Sequence, residues 1–375
     1  MNFSQIPGQQ DIISKLIQTV KSDRVSHAQI FSGTEGGASL ALALAYAKYI
    51  NCEDRQEHDS CGKCKSCIKY EKMAHPDLHF VFPVIKTKTK DPVSDDFIAE
   101  WREFTGKTPF FTINNWFDNI EVGNSQGMIY TSEAVEIIKK LNLKTFESDY
   151  KIMIIWLPEK MHDTPANKLL KMIEEPPTKT LFLLVSNEPD KVIPTILSRC
   201  QMIKIPKFNA VDIETYLIEK LDVPKEKATG ISLVANGNIV KAIELCRNEN
   251  TSFENLEKFK DLMRFAWKRD VLSLINWSET IASTGREFQK EFISFSLRIL
   301  RENIMLTLGQ ESNNLVFLTS EEIGFSKNFH PFITEKNIFF LTDEFNLAYA
   351  HIEANGNAKA IFLDLALKVT KVIRN

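Results

Sequence analysis

Two continuous apolar runs, Ile152 to Trp156 and Leu181 to Val185, stand out in a chain whose other hydrophobic positions mostly recur at helical spacing. Uninterrupted apolar runs bounded by turn signals suit strands covered on both faces, as in a parallel sheet with crossover helices. The segment between them, with Asn167, Leu169 and Leu170, reads as a helix closed by the turn Glu174-Glu175-Pro176-Pro177. After the second run, Pro194 opens a short helix that delivers Ser198, Arg199 and Cys200. Upstream, Ile6 to Val25 carries Ile12, Ile13, Leu16, Ile17 and Val20 at the spacing of one amphipathic helix. A strand around His27 to Phe31 then enters a glycine-rich loop, Ser32 to Leu40, and an Ala/Leu helix to Asn51. A further strand is expected at Leu78 to Val84. An amphipathic helix is expected at Thr131 to Leu143, with Ala134, Val135, Ile137, Ile138 and Leu141 on its apolar side. From Asn209 onward every periodic segment is helical: 211–221, 226–235, 239–246, and almost all of 251–375. The last of these, Asn357 to Ile373, places Ala360, Ile361, Leu363, Leu365, Ala366 and Val369 broadly on one side.

The 375 residues suggest two or three domains rather than one. Hydrophobic residues make up 43% and charged residues 25%, and 14 Gly and 14 Pro leave little room for long disordered linkers. No apolar run nears the roughly 18 residues of a membrane span, and the first residues lack the basic-then-apolar layout of a secretion signal, so a cytoplasmic location is expected. With a net charge of -3, contact with nucleic acid would have to come from a local basic face, which disfavours a free-standing DNA binder.

Cysteine spacing adds the first candidate chemistry. Cys52, Cys61, Cys64 and Cys67 follow a C-x8-C-x2-C-x2-C order, with Gly62 in the turn. Four thiolates so spaced can close a tetrahedral shell around Zn²⁺, a structural site with no open position for catalysis. An iron–sulfur cluster would call for a further Cys-Pro, where Ile68-Lys69-Tyr70-Glu71 stands instead. Unligated buried cysteines are the other alternative, and His58 and His75 are possible substitute ligands.

Strand, glycine-rich loop and helix is the layout of a phosphate-binding loop. Against G-x-x-x-x-G-K-[ST], however, this loop has Gly33, then Gly36 and Gly37, with Ala38 for the last Gly, Ser39 for the Lys and Leu40 for the metal-binding hydroxyl. A plain turn between strand and helix is an equal reading of it. The stretch 85–127 looks inserted: Lys86 to Lys90 alternates Lys and Thr, and the remainder is rich in aromatics, including Phe97, Trp101, Phe104, Phe110, Phe111, Trp116 and Phe117. Ser94 is placed to cap a helix there, with Asp95 and Asp96 in its first turn. A local aromatic core and a surface for single-stranded DNA are both compatible with this composition.

Taken together, the loop, the cysteine nodule, the paired strands, the E-E-P-P turn and the Ser-Arg-Cys ending resemble the clamp-loader subunits of bacterial DNA polymerase III, a family of AAA+ proteins, over the first 205 residues. The resemblance implies an α/β plus all-α fold. Its parts would be an AAA+ P-loop-type parallel-sheet domain at 1–207 with a zinc nodule (52–67), a small helical lid domain at 208–250 and a helical collar at 251–375. It also implies that this chain lacks the motor residues of its sister subunits. The acidic pair of the second ATPase motif aligns with Trp156 and Leu157, and the second arginine of the lid aligns with Val240. Ser186 and Asn187 fall where the family carries a polar sensor. Arg199 would be an arginine finger acting on ATP bound by a neighbour, with Ser198 and Cys200 supporting it. A helix-end arginine paired with carbonyls is the structural alternative.

The implied role is a non-hydrolysing stator with no active site of its own, in a five-subunit ring with gamma/tau-type and delta-type subunits. Through that ring it would meet the sliding clamp and primed DNA. Competing readings are an ATPase with an unorthodox nucleotide site and a zinc-centred nucleic-acid module.

Overall fold

In the computed structural model the two apolar runs are neighbouring parallel strands at the centre of a sheet, each buried along its whole length. The structure describes residues 1–86, 91–120, 127–142, 144–247, 249–309 and 318–374. Contacts divide the chain into one unit of Met1–Asp222 with Ala235–Ala242 and a second of Val223–Val234 with Ile243–Asn375.

The first unit runs α1 (Gln10–Lys21), β1 (Ala28–Ser32), α2 (Ser39–Ile50), α3 (Lys65–Glu71), β2 (Leu78–Val81), α4 (Ile98–Lys107), α5 (Ile113–Asn119) and α6 (Glu133–Asn142). It continues through β3 (Lys151–Trp156), α7 (Asp163–Glu174), β4 (Thr180–Ser186), α8 (Pro194–Leu197), β5 (Gln201–Lys204) and α9 (Ala210–Leu221). Among the described residues the strands form one sheet in the order β2-β3-β4-β1-β5, with every pairing parallel. Parallel neighbours need crossover connections, and these place helices on both faces. On one face Ile30, Met153, Ile155, Phe182 and Leu184 pack with Ile137 and Leu141 of α6 and Leu169 and Ile173 of α7. On the other face lies α2, every residue of which is buried, as a helix apolar on all sides must be.

Several sequence expectations shift by a few residues for identifiable reasons. α1 begins only at Gln10, because Gly8 (φ 58) and Gln9 (φ 63) are both left-handed. A side chain at Gly8 would also meet Asp212 at 2.2 Å. Val135 points to solvent, at 59% exposure, while Ala134, Ile137 and Leu141 form the buried side of α6. Residue 143, the expected end of that helix, lies outside the described residues. Ser94 does not cap a helix. Its hydroxyl donates to the Phe82 carbonyl (3.2 Å), and Ser94 N–H donates to Glu133 at 2.7 Å, so it ties the insertion to β2 and α6. β5 is an additional edge strand.

Within the insertion the aromatics form a core of their own. Trp101 and Trp116 are fully buried, Phe82 stacks on Trp101 at 4.1 Å, and Trp116 meets Trp101 edge-on at 5.1 Å. These rings are therefore closed to bases. Thr87, Lys88, Thr89 and Lys90 of the basic stretch lie outside the described residues.

Asp77, 1% exposed, fixes the approach to β3: its carboxylate accepts the backbone N–H groups of Phe146, Glu147 and Ser148 at 2.7, 2.9 and 2.9 Å. Burial pushes this carboxyl up, but the three N–H donors outweigh it and hold the group below its ordinary 3.8. A depressed native value means that the contribution is present above that pH and is lost as pH falls through the native value. Asp77→Ala strands three donors and is expected to lower stability by about 3 kcal/mol at pH 7. Near pH 3 the difference should narrow. Urea midpoints at the two pH values measure this, and equal midpoints at pH 7 would contradict it.

The second unit comprises most of α10 (Lys225–Ala235), the end of α11 (Ile239–Arg247), and α12 (Glu249–Lys268), α13 (Val271–Ala282), α14 (Arg286–Thr307), α15 (Ser320–Phe329), α16 (Ile338–Glu353) and α17 (Ala358–Val372). Its core is built on Phe259, Leu262, Phe292, Phe345 and Phe362. The buried seam of α17 is Phe362, Leu365, Ala366 and Val369, whereas Ala360 is exposed and Ile361 and Leu363 are half-buried. Among the described residues no helix is long and apolar enough to cross a membrane.

Candidate functional site

The cysteine nodule connects α2 to α3. Its four sulfurs all lie within 4.8 Å of one another, no disulfide links them, and Cys61 Sγ is 3.9 Å from Cys67 Sγ. Bonds of about 2.3 Å to a tetrahedral centre would set sulfur–sulfur edges of about 3.8 Å, so the donor set fits a thiolate-bound metal. The N–H groups of Cys61, Cys64 and Cys67 donate to the sulfurs of Cys52, Cys61 and Cys64, each at 3.3 Å, and stabilise negative charge there. Gly62, at φ 71, permits the turn between Cys61 and Cys64. His58 and His75 are not part of the cluster. His58 is exposed beside Glu57, while His75 accepts from Asp77 N–H (3.1 Å) and bonds Ser148 Oγ (3.0 Å), which occupies both ring nitrogens. Asp59 anchors the nodule by accepting from the N–H groups of Phe3 (3.1 Å) and Ser4 (2.9 Å).

β1 lies between β4 and β5, so the loops after β1 and β4 leave the sheet at a switch in strand order, the usual place for a ligand in an open parallel sheet. Here the chain's own side chains occupy the positions that the glycines leave open. A Cβ at Gly33 would lie 2.2 Å from Ser39 Oγ, and one at Gly36 would lie 2.0 Å from Asn238 Oδ1. Gly36 is left-handed (φ 69), and its carbonyl accepts Ile239 N–H at 3.0 Å. Gly37 N–H closes a tight turn onto Thr34 O at 3.0 Å. Ala38 precedes α2, and Ser39, Leu40 and Ala38 are all buried; Ser39 Oγ has no hydrogen-bond partner among the described residues. Val240 is buried as well. Asn238, which sequence spacing gave no means of finding, thus stands against the loop.

Trp156 ends β3, 3% exposed, with Trp101 at 5.3 Å and Phe111 at 5.1 Å, and so belongs to the aromatic core of the insertion. Leu157 follows in the left-handed region (φ 55), a conformation that costs a leucine about 1–2 kcal/mol. Its N–H donates to Val185 O (2.8 Å), and the turn delivers Glu159 to the end of β4. There Glu159 accepts the N–H groups of Asn187 (2.9 Å) and Glu188 (3.2 Å). Ser186 is fully buried, its hydroxyl without a partner among the described residues.

Arg199 leaves the end of α8 with its side chain 40% exposed. Nη2 pairs with Glu174 Oε1 at 2.6 Å, and Nη1 donates to Thr195 O (3.0 Å) and Ser198 Oγ (3.3 Å). The guanidinium is therefore held at the surface by the E-E-P-P turn, a link that sequence reading missed although both motifs had been singled out. Ser198 Oγ itself donates to Thr195 O at 3.1 Å. Burial pushes the Cys200 thiol up to about 11, which disfavours the reactive thiolate.

A family model described as "DNA polymerase III, delta subunit" matches residues 8–209. Among curated proteins, the DNA polymerase III subunit delta' of Bacillus subtilis is 28% identical over 239 residues, covering 64% of this chain and 59% of that protein. The subunit tau/gamma of Haemophilus influenzae is 25% identical over 331 residues, 86% of this chain and 38% of that protein. The chain thus spans less than two thirds of the length of each. A solved structure of a DNA polymerase III gamma subunit-related protein from Thermotoga maritima aligns over 98% of this chain and 100% of that one, at 13% identity and a TM-score of 0.43.

Proposed function

The chain belongs to the DNA polymerase III delta subunit family, and on that premise we propose that it is a clamp-loader subunit of the delta-prime kind, which hydrolyses no ATP itself and offers Arg199 to ATP held by a gamma/tau-type neighbour. One observation carries the reading. Where the second ATPase motif would place its metal-binding carboxylates stand Trp156, wedged against Trp101 and Phe111, and Leu157, also buried. No Mg²⁺ can be held by those side chains, and without it the β- and γ-phosphates lose their main counter-charge. The Asn238 contact at Gly36 and the absence of a Lys at Ser39 point the same way.

Arg199 suits the complementary role. A guanidinium stays charged and presents a planar fork to phosphate oxygens, and this one is already half-exposed and oriented by Glu174. In this reading Ser198 and Cys200 position the arginine, residues 208–250 are the lid, and 251–375 form the collar that joins gamma/tau-type and delta-type subunits in a five-membered ring. The ring's work is to load the sliding clamp onto primed DNA. Zn²⁺ is the metal assigned to Cys52, Cys61, Cys64 and Cys67, as a structural ion. A zinc-centred nucleic-acid module is less well supported, since Trp101, Phe110, Phe111 and Trp116 of the insertion are buried.

Calorimetric titration of the purified chain with magnesium-ATP tests the first half of the proposal. No binding is expected at millimolar nucleotide, and no phosphate release, while mixing with gamma/tau-type and delta-type subunits should yield a stable complex on gel filtration. Micromolar, magnesium-dependent ATP binding by the isolated chain would instead support an ATPase with an unorthodox site.

A further inference from the structure

The second unit contains a concave slot of about 470 Å³ to which the proposed function gives no specific ligand. Met263 and Trp267 of α12, Phe325 and Phe329 of α15, Phe332 just beyond it and Ile373 after α17 line its apolar part. Its size lies within the roughly 300–1,000 Å³ of ligand-binding clefts. Unlike the core beneath it, the mouth is exposed: Trp267 is 40% and Phe332 37% accessible, and their rings meet edge-on at 4.7 Å. Isolated exposed apolar residues are ordinary, but aromatics gathered around a cavity mark a contact site.

Positive charge predominates at the rim. Along α12, Lys260, Arg264 and Lys268 recur every four residues beside the slot, and Arg374 lies over the Trp267 ring at 5.1 Å. Glu257 pairs with Lys260 at 2.7 Å and Asp261 with Arg264 at 3.3 Å, so four cations face two carboxylates. This excess of positive charge belongs to a chain whose net charge is -3. Base stacking, the other use of basic residues beside aromatics, needs a free ring face. Here Arg374 covers Trp267, Lys260 lies 5.7 Å over Phe325, and Phe325 stacks on Phe329 at 4.7 Å. These contacts take up ring faces that a base would need, and the recess between the rings is apolar.

We propose that this slot is a docking site for a short acidic segment of a partner protein that carries one large apolar anchor residue. The anchor enters between Met263, Phe325, Phe329 and Ile373, and flanking carboxylates pair with Arg264 and Lys268. Rim charges of this kind set association and selectivity, while the buried anchor supplies most of the affinity.

The test uses the full chain and a fluorescein-labelled peptide, Glu-Asp-Glu-Leu-Phe-Glu-Asp-Glu, followed by anisotropy. Saturable binding is expected. It should weaken about tenfold or more when Leu-Phe is replaced by Gly-Ser, and by a similar factor in the double variant Arg264→Glu, Lys268→Glu. Both substitutions are at the slot's charged rim, and an unchanged melting temperature will show that the fold is retained; Phe332→Ala, at the mouth, gives an independent loss. Binding that survives the double reversal would overturn the proposal, as would absence of binding at millimolar peptide. Displacement of the peptide by oligo(dT) with equal sensitivity to the reversal would assign the slot to nucleic acid instead and overturn it too.

Discussion

Replacing Arg199 by alanine is expected, on the proposed reading of it as a finger, to slow ATP hydrolysis at the neighbouring site by about 10³–10⁵-fold, the range that such a finger contributes in other nucleotide hydrolases. That corresponds to roughly 4–7 kcal/mol of barrier. The isolated chain should hardly notice. Arg199 and Glu174 are 40% and 45% exposed, and a surface pair of this kind contributes about 0.2–1 kcal/mol. The substitution therefore separates a role in trans from a role in folding. If Arg199 serves a single neighbouring site, as proposed, total steady-state turnover of a reconstituted loader falls less than the site itself, so single-turnover hydrolysis is the sharper measurement. Arg199→Lys keeps the charge but loses the two-pronged geometry and should recover little of the rate. Normal DNA-stimulated hydrolysis in the alanine variant, with the complex intact, would exclude the finger.

Removing the metal from the nodule is expected to have the largest effect on stability. The four sulfurs converge although desolvation opposes ionising the buried Cys52 and Cys67, and a bound dication would make their thiolates favourable. With the ion gone, the turn that carries Asp59 loses its anchor, and with it the hold on Phe3 and Ser4. We expect about one zinc per chain by elemental analysis. We also expect a loss of about 3–5 kcal/mol on chelation, on the order of a 10 °C fall in melting temperature for a unit of this size. A chain purified anaerobically without metal, and melting at the same temperature with or without chelator, would rule out a structural zinc site.

How much of this was legible in the sequence follows from which signals are local. β3 and β4 announce themselves because both faces are covered, which leaves uninterrupted apolar runs. β5 gives no such signal. It is an edge strand bonded only to β1, with polar residues at Gln201 and Lys204 and mostly exposed side chains, so nothing in its composition separates it from a loop. The cysteine ligand set could be read from spacing, since Cys61, Cys64 and Cys67 are close neighbours in sequence and Cys52 is one turn of chain away. The family match over residues 8–209 agrees with the resemblance seen over the first 205. By contrast, the contacts that shape the candidate sites join distant residues: Asn238 to Gly36, Glu159 to Asn187, Glu174 to Arg199. Side-chain contacts across such separations depend on the finished fold, and periodicity carries no trace of them. Likewise, the aromatic content of the insertion showed that something packs there. It did not show that Trp156 is one of the rings.

That ring has a consequence for how such a protein can change. Exchanging Trp156 for aspartate would not recreate a metal site, because the new carboxylate would be enclosed by Trp101 and Phe111 with no cation beside it, and the space left by the indole would be empty. Several residues from two parts of the chain would have to change at once, each unfavourable without the others. The rings that pack on Trp156 would have to change with it, so a single substitution at this position is expected to lower stability without creating a metal site.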